Sequence, residues 1–393
     1  MAIRSREKTA PAPTDAEVAA SVAPGMRVAA AWSWRILAVA AVVALIGLLV
    51  VLLRDVAVPV FVAILLAALL VPFCSWLQRK GWPKALAVAL CELGLLVVIA
   101  GLITVIIITV RRGLPDLVET TQVKYEDFVQ FLSSPPLNLS EKDITGYVDD
   151  LVAALQSDGG SLLTGALSVG STAGHVLAGG LIALFTTLFI LIDGRGMWQW
   201  IVRLFPMRSR AAIIGAGEAG WITLTTFVRV QIFVAFVDAV GIGLGAFILG
   251  WAIGEPFPLV IPIAIAVFLG SFIPVVGAVA TGIFAVFVAL IYLGPVPALV
   301  MLGIVILVQQ LEGHVLQPFV LGSAVKVHPV AVVLAVATGG FVAGIPGALF
   351  AVPLVATLNV MIGYIARGEW RTNPHPTVED VLPPTRRAVT RGE

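Results

Sequence analysis

Residues 309 to 329 read QQLEGHVLQPFVLGSAVKVHP, between two long apolar runs. Gln309, Gln310, Glu312, His314, Gln317, Lys326 and His328 fall within this one stretch. Carboxylate, imidazole and amide groups at this density could hold a polar solute or exchange a proton. Such groups are costly at membrane depth and persist mostly where they pair or line a path. Two further carboxylates, Glu92 and Asp238, lie inside apolar runs. Asp238 and Glu312 have apolar flanks and are the candidates for coupling to protons or cations. The simpler role for Asp238 is a hydrogen bond to a neighbouring helix. Arg229 stands nine residues before Asp238, ~13 Å away along one helix, too far to pair unless the helix breaks. Asp193 ends an apolar run and Glu255 sits in a turn, positions that suit the interface and solvent.

Other chemistries find little support. The chain has no Walker loop, no GxGxxG after a strand, no HExxH and no GxSxG, so neither an enzyme nor an ATP-driven pump is expected. His175, His314, His328 and His375 lack metal-ligand spacing. Cys74 and Cys91 sit in apolar surroundings and read as packing residues. No metal or cofactor is expected. A net charge of +1 with no long basic run gives no reason to invoke nucleic acid.

The elements that must position these groups follow from composition. The 393 residues are 59% hydrophobic and 12% charged, against about one quarter charged in soluble domains. A buried core cannot absorb that much apolar sequence. The fold class is all-α, a polytopic protein with the lipid bilayer as its main partner. At ~20 residues per crossing, about eight membrane helices are expected: 36–53, 56–77, 85–110, 173–192, 224–249, within 257–293, near 297–311, and within 329–365. Residues 1–34 and 367–393 read as disordered tails. Residues 35–112 carry the first three spans, 113–172 an outer loop region, and 173–366 the last five with the transport core.

Two runs are too long for one crossing and too short for two. The run 257–293 is broken by Pro262 and SFIPVVG, and 329–365 by GGFVAGIPG and Pro353. Proline removes a backbone donor and glycine loosens the helix. At membrane depth such breaks are tolerated where they are buried or line a wet cavity. A matched pair of interrupted segments points to a transporter binding site, with half-helix ends offering free backbone groups. Kinked spans and re-entrant segments both remain open at this stage.

Lys and Arg cluster before the first span, after the second (Arg79, Lys80, Lys84), after the fourth (Arg195, Arg203, Arg208, Arg210) and after the last. With eight crossings all four clusters fall on one side. That side reads as cytoplasmic, with both termini inside a multi-pass cell membrane protein. Arg111 and Arg112 run against the rule. The same count places the 309–329 stretch at the outer end of the seventh span. The loop 113–172 suggests two amphipathic helices, one with Leu114, Leu117, Tyr125, Phe128 and Leu132, the other with Ile144, Val148, Leu151 and Leu155. They could form a cap, a subunit contact or a gate. GMWQWIVRLFP after the fourth span reads as an anchoring helix in the interface.

Three passages carry a resemblance: FLGSFIPVVGAVATG (268–282), QQLEGHVLQPFVLGSAVKVHP (309–329) and GGFVAGIPGALFAVPL (339–354). With ILIDGR (190–195), they resemble the autoinducer-2 exporter family, once grouped as PerM, over roughly residues 35–365. The resemblance implies about eight helices, homo-oligomers, and transport of a small polar solute or a monovalent cation. Family members are linked to export of autoinducer-2, others to sodium–proton antiport. Carried over by motif, Phe272, Ile273, Pro274, Gly277, Gln310, Glu312, Gln317, Pro318, Gly322, His328 and Pro329 match. With His314 beside them, Phe272, Pro274, Gly277, Gln310, Glu312, Gln317, Pro318 and His328 are the substrate-path candidates. The leading expectation is a secondary exporter of a small polar solute, in which Gln310, Glu312 and Gln317 supply hydrogen bonds. The alternatives are a cation–proton antiporter and an oligomeric membrane scaffold whose outer loop binds a partner.

Overall fold

The computed structural model describes residues 23–105, 107–108, 169–257, 259–273, 276–316 and 329–381. All regular structure among them is helical. Seven helices are long and apolar enough to cross a membrane, and two shorter apolar helices accompany them. The expected all-α polytopic class is thereby met.

The chain divides into two units, residues 1–54 and 55–393. The first holds α1 (Pro24–Leu52), which has Pro24 in its first turn and no acidic residue there. It begins before the expected boundary at residue 34, because Met26, Val28, Trp32 and Trp34 extend its apolar surface. A helix apolar on all faces is one that lipid or protein must surround.

In the second unit, α2 (Arg54–Arg79) carries Pro59 and Pro72 inside its length. It packs with α3 (Lys84–Val105) and α4 (Val169–Arg203) through Ala67, Leu70, Cys74, Val88, Cys91 and Leu191. Both cysteines are buried and free, as packing residues should be. Helix α4 is two helices across a kink at Asp193. Asp193 Oδ1 accepts the Gly196 N–H at 3.1 Å and so caps the second piece, the anchoring segment. Trp198 in that piece lies over Gly217, while Trp200 is exposed.

The long axis of this unit is α5 (Met207–Ile253), 47 residues and so ~70 Å. It packs against α4, α6 (Val260–Gly270), α8 (Pro295–Leu311) and α9 (Pro329–Ala366). Around its C-terminal half lies the main core, with Ile242, Ile263, Val267, Ala285, Val288, Met301 and Val305. This core also takes residues from α7 (Val276–Leu293). The 17 residues of α5 before the expected start at Leu224 are helical because they have a partner. Ala216 and Ala219 pack with Tyr364, Trp370 and Val381.

That partner corrects the expected tail. Residues 368–381 are ordered: a 3₁₀ turn (Glu369–Arg371) and a short helix α10 (Val378–Val381) lie on α5. Tyr364 Oη donates to the Asn373 carbonyl at 2.5 Å. Thr377 donates to Asp380 Oδ2 from its backbone at 2.8 Å and from its hydroxyl at 2.7 Å. Asn373 Nδ2 adds a third donor at 2.9 Å. The Thr377 backbone N–H, then its hydroxyl and the Asn373 amide, hold the Asp380 carboxyl below the usual carboxylate range. Composition missed this clasp because polar residues far outnumber its anchors, Trp370 and Val381.

Both interrupted runs double back. A Cβ on Gly277 would run into the Gly270 carbonyl, and one on Gly347 into the Gly339 carbonyl. Residues seven and eight apart in an unbroken helix would stand ~10–12 Å apart, so the chain reverses between them. In the second run the reversal is at Ala343–Gly344, where Gly344 takes φ 62°, ψ −146°, a conformation costly for any residue with a Cβ. The entering arms are short. The 11 residues of α6 give ~16 Å, and the arm before Gly344 gives roughly 21 Å, against a ~30 Å hydrocarbon core. Each broken run is thus a helical hairpin.

Candidate site at the middle of the long helix

The register of packing along α5 fixes where each element ends. Gly250 meets the Phe257 backbone and Gly243 meets Ala264, so the first hairpin descends from the C-terminal end of α5. Gly215 meets Tyr364 and Gly220 meets Met361, so the second rises from the opposite end. The two approach each other in the middle. Ile273, in the first break, packs with Phe227 of α5 against Val336, Ala351 and Val352 of the second hairpin. Helix α8 runs antiparallel to α5, with Ile304 over Gly245 and Val308 over Gly241.

This register moves the 309–329 stretch. Continued by one turn it brings the end of α8 alongside Asp238. There the chain widens into a π turn, Glu312–Leu316, which packs on α5. The polar stretch therefore starts alongside the middle of α5.

At that level Phe227, Gln231 and Asp238 share one face of α5, since steps of seven and eleven residues return close to the same direction. Asp238 is 1% exposed. Ser271, also buried, brings its Oγ to 3.1 Å from Asp238 Oδ2 and 2.8 Å from the Val267 carbonyl. One hydroxyl hydrogen serves both acceptors. Gln231 Nε2 donates to the Ser271 carbonyl at 2.6 Å, which satisfies a backbone oxygen at the break. Asp238 Oδ1 is buried with no hydrogen-bond partner. A buried polar atom without a partner costs about 1–3 kcal/mol, so its retention needs a reason. Glu312 opens the π turn that packs on α5.

Of the residues picked from sequence, Asp238, Glu312, Phe272 and Gly277 are brought together here. Phe272 stands edge-on to Phe268, and Gly277 closes the first turn. Gln310 lies one turn before His314, whose Nδ1 is 3.2 Å from the Gln310 carbonyl at an exposed position. Pro274, Gln317, Pro318, Gly322 and His328, like the loop at 113–168, lie outside the described residues. For Pro329 only the backbone is described, opening α9. Glu92 is on α3, apart from the site. Arg229 is exposed, half a helical turn away from Asp238 in direction. Gln231 and Ser271 were not singled out from sequence. The available signal was Gln231's place seven residues before Asp238 and Ser271's position inside the Gly/Pro break.

A family model described as AI-2E family transporter matches residues 37–367. A protein of Mycobacterium tuberculosis named "Putative transport protein MT0215" is 40% identical over 364 residues, 92% of this chain and 96% of its own length. "Putative transport protein YrrI" of Bacillus subtilis is 25% identical over 330 residues, covering 80% and 88% of the two chains. "AI-2 transport protein TqsA" of Escherichia coli is 24% identical over 342 residues, covering 84% and 93%.

Proposed function

The chain belongs to the AI-2E transporter family, and from that premise we propose that it is a secondary exporter of a small polar solute held at the middle of α5. The observation that carries the reading is the meeting of two oppositely directed hairpins beside Asp238, Ser271 and Gln231. Oppositely directed broken helices at mid-membrane are how many transporters build a solute site open to each side in turn. An autoinducer-2-like molecule falls within this class, which agrees with the name of the Escherichia coli relative.

With two re-entrant hairpins the chain makes two fewer crossings, an even change, so the four basic clusters still share one side. On this reading both termini and the clasp on α5 are cytoplasmic, and the protein is a multi-pass protein of the cytoplasmic membrane. The first hairpin then enters from outside and the second from inside. Homo-oligomers fit the wide exposed apolar faces of α1, α3 and α4. The test is efflux from vesicles carrying Glu312→Ala or Asp238→Asn. Each variant is expected to lower efflux about tenfold, the loss of one interaction of ~1.4 kcal/mol. Wild-type rates in both would remove the site from the mechanism.

A second reading, cation–proton antiport, is favoured by the unpartnered Asp238 Oδ1. It requires a sodium-dependent pH change in proteoliposomes, and the absence of one would sink it. The scaffold reading rests on the outer loop alone and gains nothing from the described residues.

A further inference from the structure

We propose that the basic, tryptophan-rimmed end shared by α2, α3 and α4 binds the headgroup of an anionic phospholipid. The inference needs only the multi-pass membrane fold and goes beyond the transport reading, which stands or falls separately.

The second piece of α4, residues 194–203, has three faces. Trp198 and Val202, four residues apart, share the side on which Trp198 lies over Gly217 of α5, and Val202 is 2% exposed. Met197, Trp200, Ile201 and Leu204 recur at steps of three and four and form an exposed apolar stripe. Arg195, Gln199 and Arg203, again four apart, form an exposed polar stripe between the other two faces. A helix with one apolar and one basic face lies in the headgroup region, its apolar face toward the acyl chains. The far end of this helix is fixed in place. Arg210 Nε donates to the Phe205 carbonyl at 3.0 Å and Nη2 to the Arg203 carbonyl at 2.9 Å.

Packing brings a second basic and aromatic group to the same level. Cys74 and Leu77 of α2, Val88 of α3 and Leu191 of α4 lie in one cluster. Arg79 and Lys80 directly follow that part of α2, Lys84 directly precedes that part of α3, and the α4 kink at Asp193 directly follows Leu191. Lys80 Nζ stands 4.0 Å from the centre of the Trp76 ring, and Trp76 and Trp82 are themselves exposed. Arg79, Lys80, Lys84, Arg195, Arg203 and Arg208 are all exposed, and no carboxylate among the described residues pairs with them. Asp193 Oδ1 is turned to the Gly196 N–H. Like charges gathered around exposed indole rings repel until an anion lies among them. A phospholipid phosphate supplies that anion, and its acyl chains cover the stripe from Met197 to Leu204. An acidic partner without acyl chains leaves the stripe uncovered, and a zwitterionic headgroup brings a cation of its own.

The opposite end of α5 offers a contrast. The chain has no Lys or Arg between Arg229 and Lys326. There Trp251 is 79% exposed, next to a turn that carries Glu255. An aromatic anchor without cations gives no preference for anionic headgroups.

The test uses the full chain in phosphatidylcholine vesicles with a minor fraction of brominated phosphatidylglycerol or of brominated phosphatidylcholine. A bimane is attached at Gln199→Cys, in the patch, or at Trp251→Cys, at the other end. Cys74 and Cys91 are buried and stay in place, with the parent chain as the labelling blank. At Gln199→Cys the brominated phosphatidylglycerol is expected to quench at least about threefold more strongly than the phosphatidylcholine. At Trp251→Cys the two are expected to quench equally. Adding Arg195→Gln, Arg203→Gln and Arg208→Gln is expected to remove the difference at Gln199→Cys. A salt series on the chain without these three changes covers the case in which they prevent folding. Raising salt from about 0.1 M to about 1 M shortens the Debye length from about 10 Å to about 3 Å and is expected to shrink the difference. Equal quenching by the two lipids at Gln199→Cys overturns the proposal. So does a preference that survives the three substitutions, is undiminished by salt, or is as large at Trp251→Cys. A difference abolished by inorganic phosphate, but not by sodium chloride of the same ionic strength, makes the patch a site for free phosphate and overturns the lipid as its occupant.

Discussion

The two hairpins share a plan and differ in how they are held. Each is a short arm, a reversal closed by a pair of glycines, and a longer arm. The first is tied to α5 by polar groups at its tip, Ser271 to Asp238 and to Gln231. The second meets α5 near its tip through Phe227 and aliphatic side chains, and its far end continues into the clasp on α5. An apolar contact is non-directional and tolerates sliding, whereas a buried hydrogen bond fixes distance and angle. The difference is one of constraint: the first tip is fixed in distance and angle, and the second is held by contacts that tolerate sliding.

The largest expected effect tests what they share. Gly277→Val and Gly347→Val each drive a side chain into a backbone carbonyl that cannot swing aside. Overpacking costs about 1–3 kcal/mol where side chains give way and more where backbone must. Both variants should lose most of their monodisperse yield by size exclusion in detergent. Normal yield from either would mean that its hairpin is not closed at the glycine pair. Asp238→Asn comes next and tests what they do not share. It should keep its yield while lowering transport about tenfold, equivalent to ~1.4 kcal/mol. Conservative changes at the second tip, such as Val352→Ile, should leave transport within about threefold. Equal losses at the two tips would abolish the asymmetry.

A smaller effect is expected from Gln231→Leu. It leaves the Ser271 carbonyl without its 2.6 Å donor at the break. An unmade bond of this kind costs about 1–3 kcal/mol, seen as a lower melting temperature. Transport should fall less than in Asp238→Asn, because the carboxylate stays. A larger transport loss than in Asp238→Asn would make Gln231, not Asp238, the solute-binding group.

What the sequence made legible follows from which signals are local. Pro262, Gly277, Gly344 and Pro346 marked both breaks, because a missing donor or a missing Cβ acts on its own turn. Asp238 and Glu312 stood out because charge in an apolar run is rare. Which way each broken run travels was not legible. A straight run and a doubled-back one use the same apolar residues, and only the backbone contacts Gly270–Gly277 and Gly339–Gly347 tell them apart. Ser271 escaped notice because a serine beside glycine and proline reads as part of a turn until the facing Asp238 is seen. The clasp escaped because Trp370 and Val381 find Ala216 only through the return of the second hairpin.

The smallest effect concerns that clasp, the far anchor of the second hairpin. Its carboxyl, Asp380, is fully exposed to titration, and its folded pKa is depressed by the Thr377 and Asn373 donors. A depressed folded pKa stabilises the docked form above the ordinary carboxylate value of about 4. The stabilisation is lost as pH falls through the lower folded value. Docking should therefore be constant between pH 6 and 8 and weaken only in acid, below about pH 4. The His375–Glu218 pair at 3.0 Å is largely exposed, and such pairs contribute about 0–1 kcal/mol, so His375→Gln should change little. Asp380→Asn should loosen residues 368–381 at neutral pH, read as faster amide exchange there, and leave the exchange of Ser271 and Asp238 unaltered. If exchange at the first hairpin rose equally, the two hairpins would be one mechanical unit, and the asymmetry argued from their tips would fail.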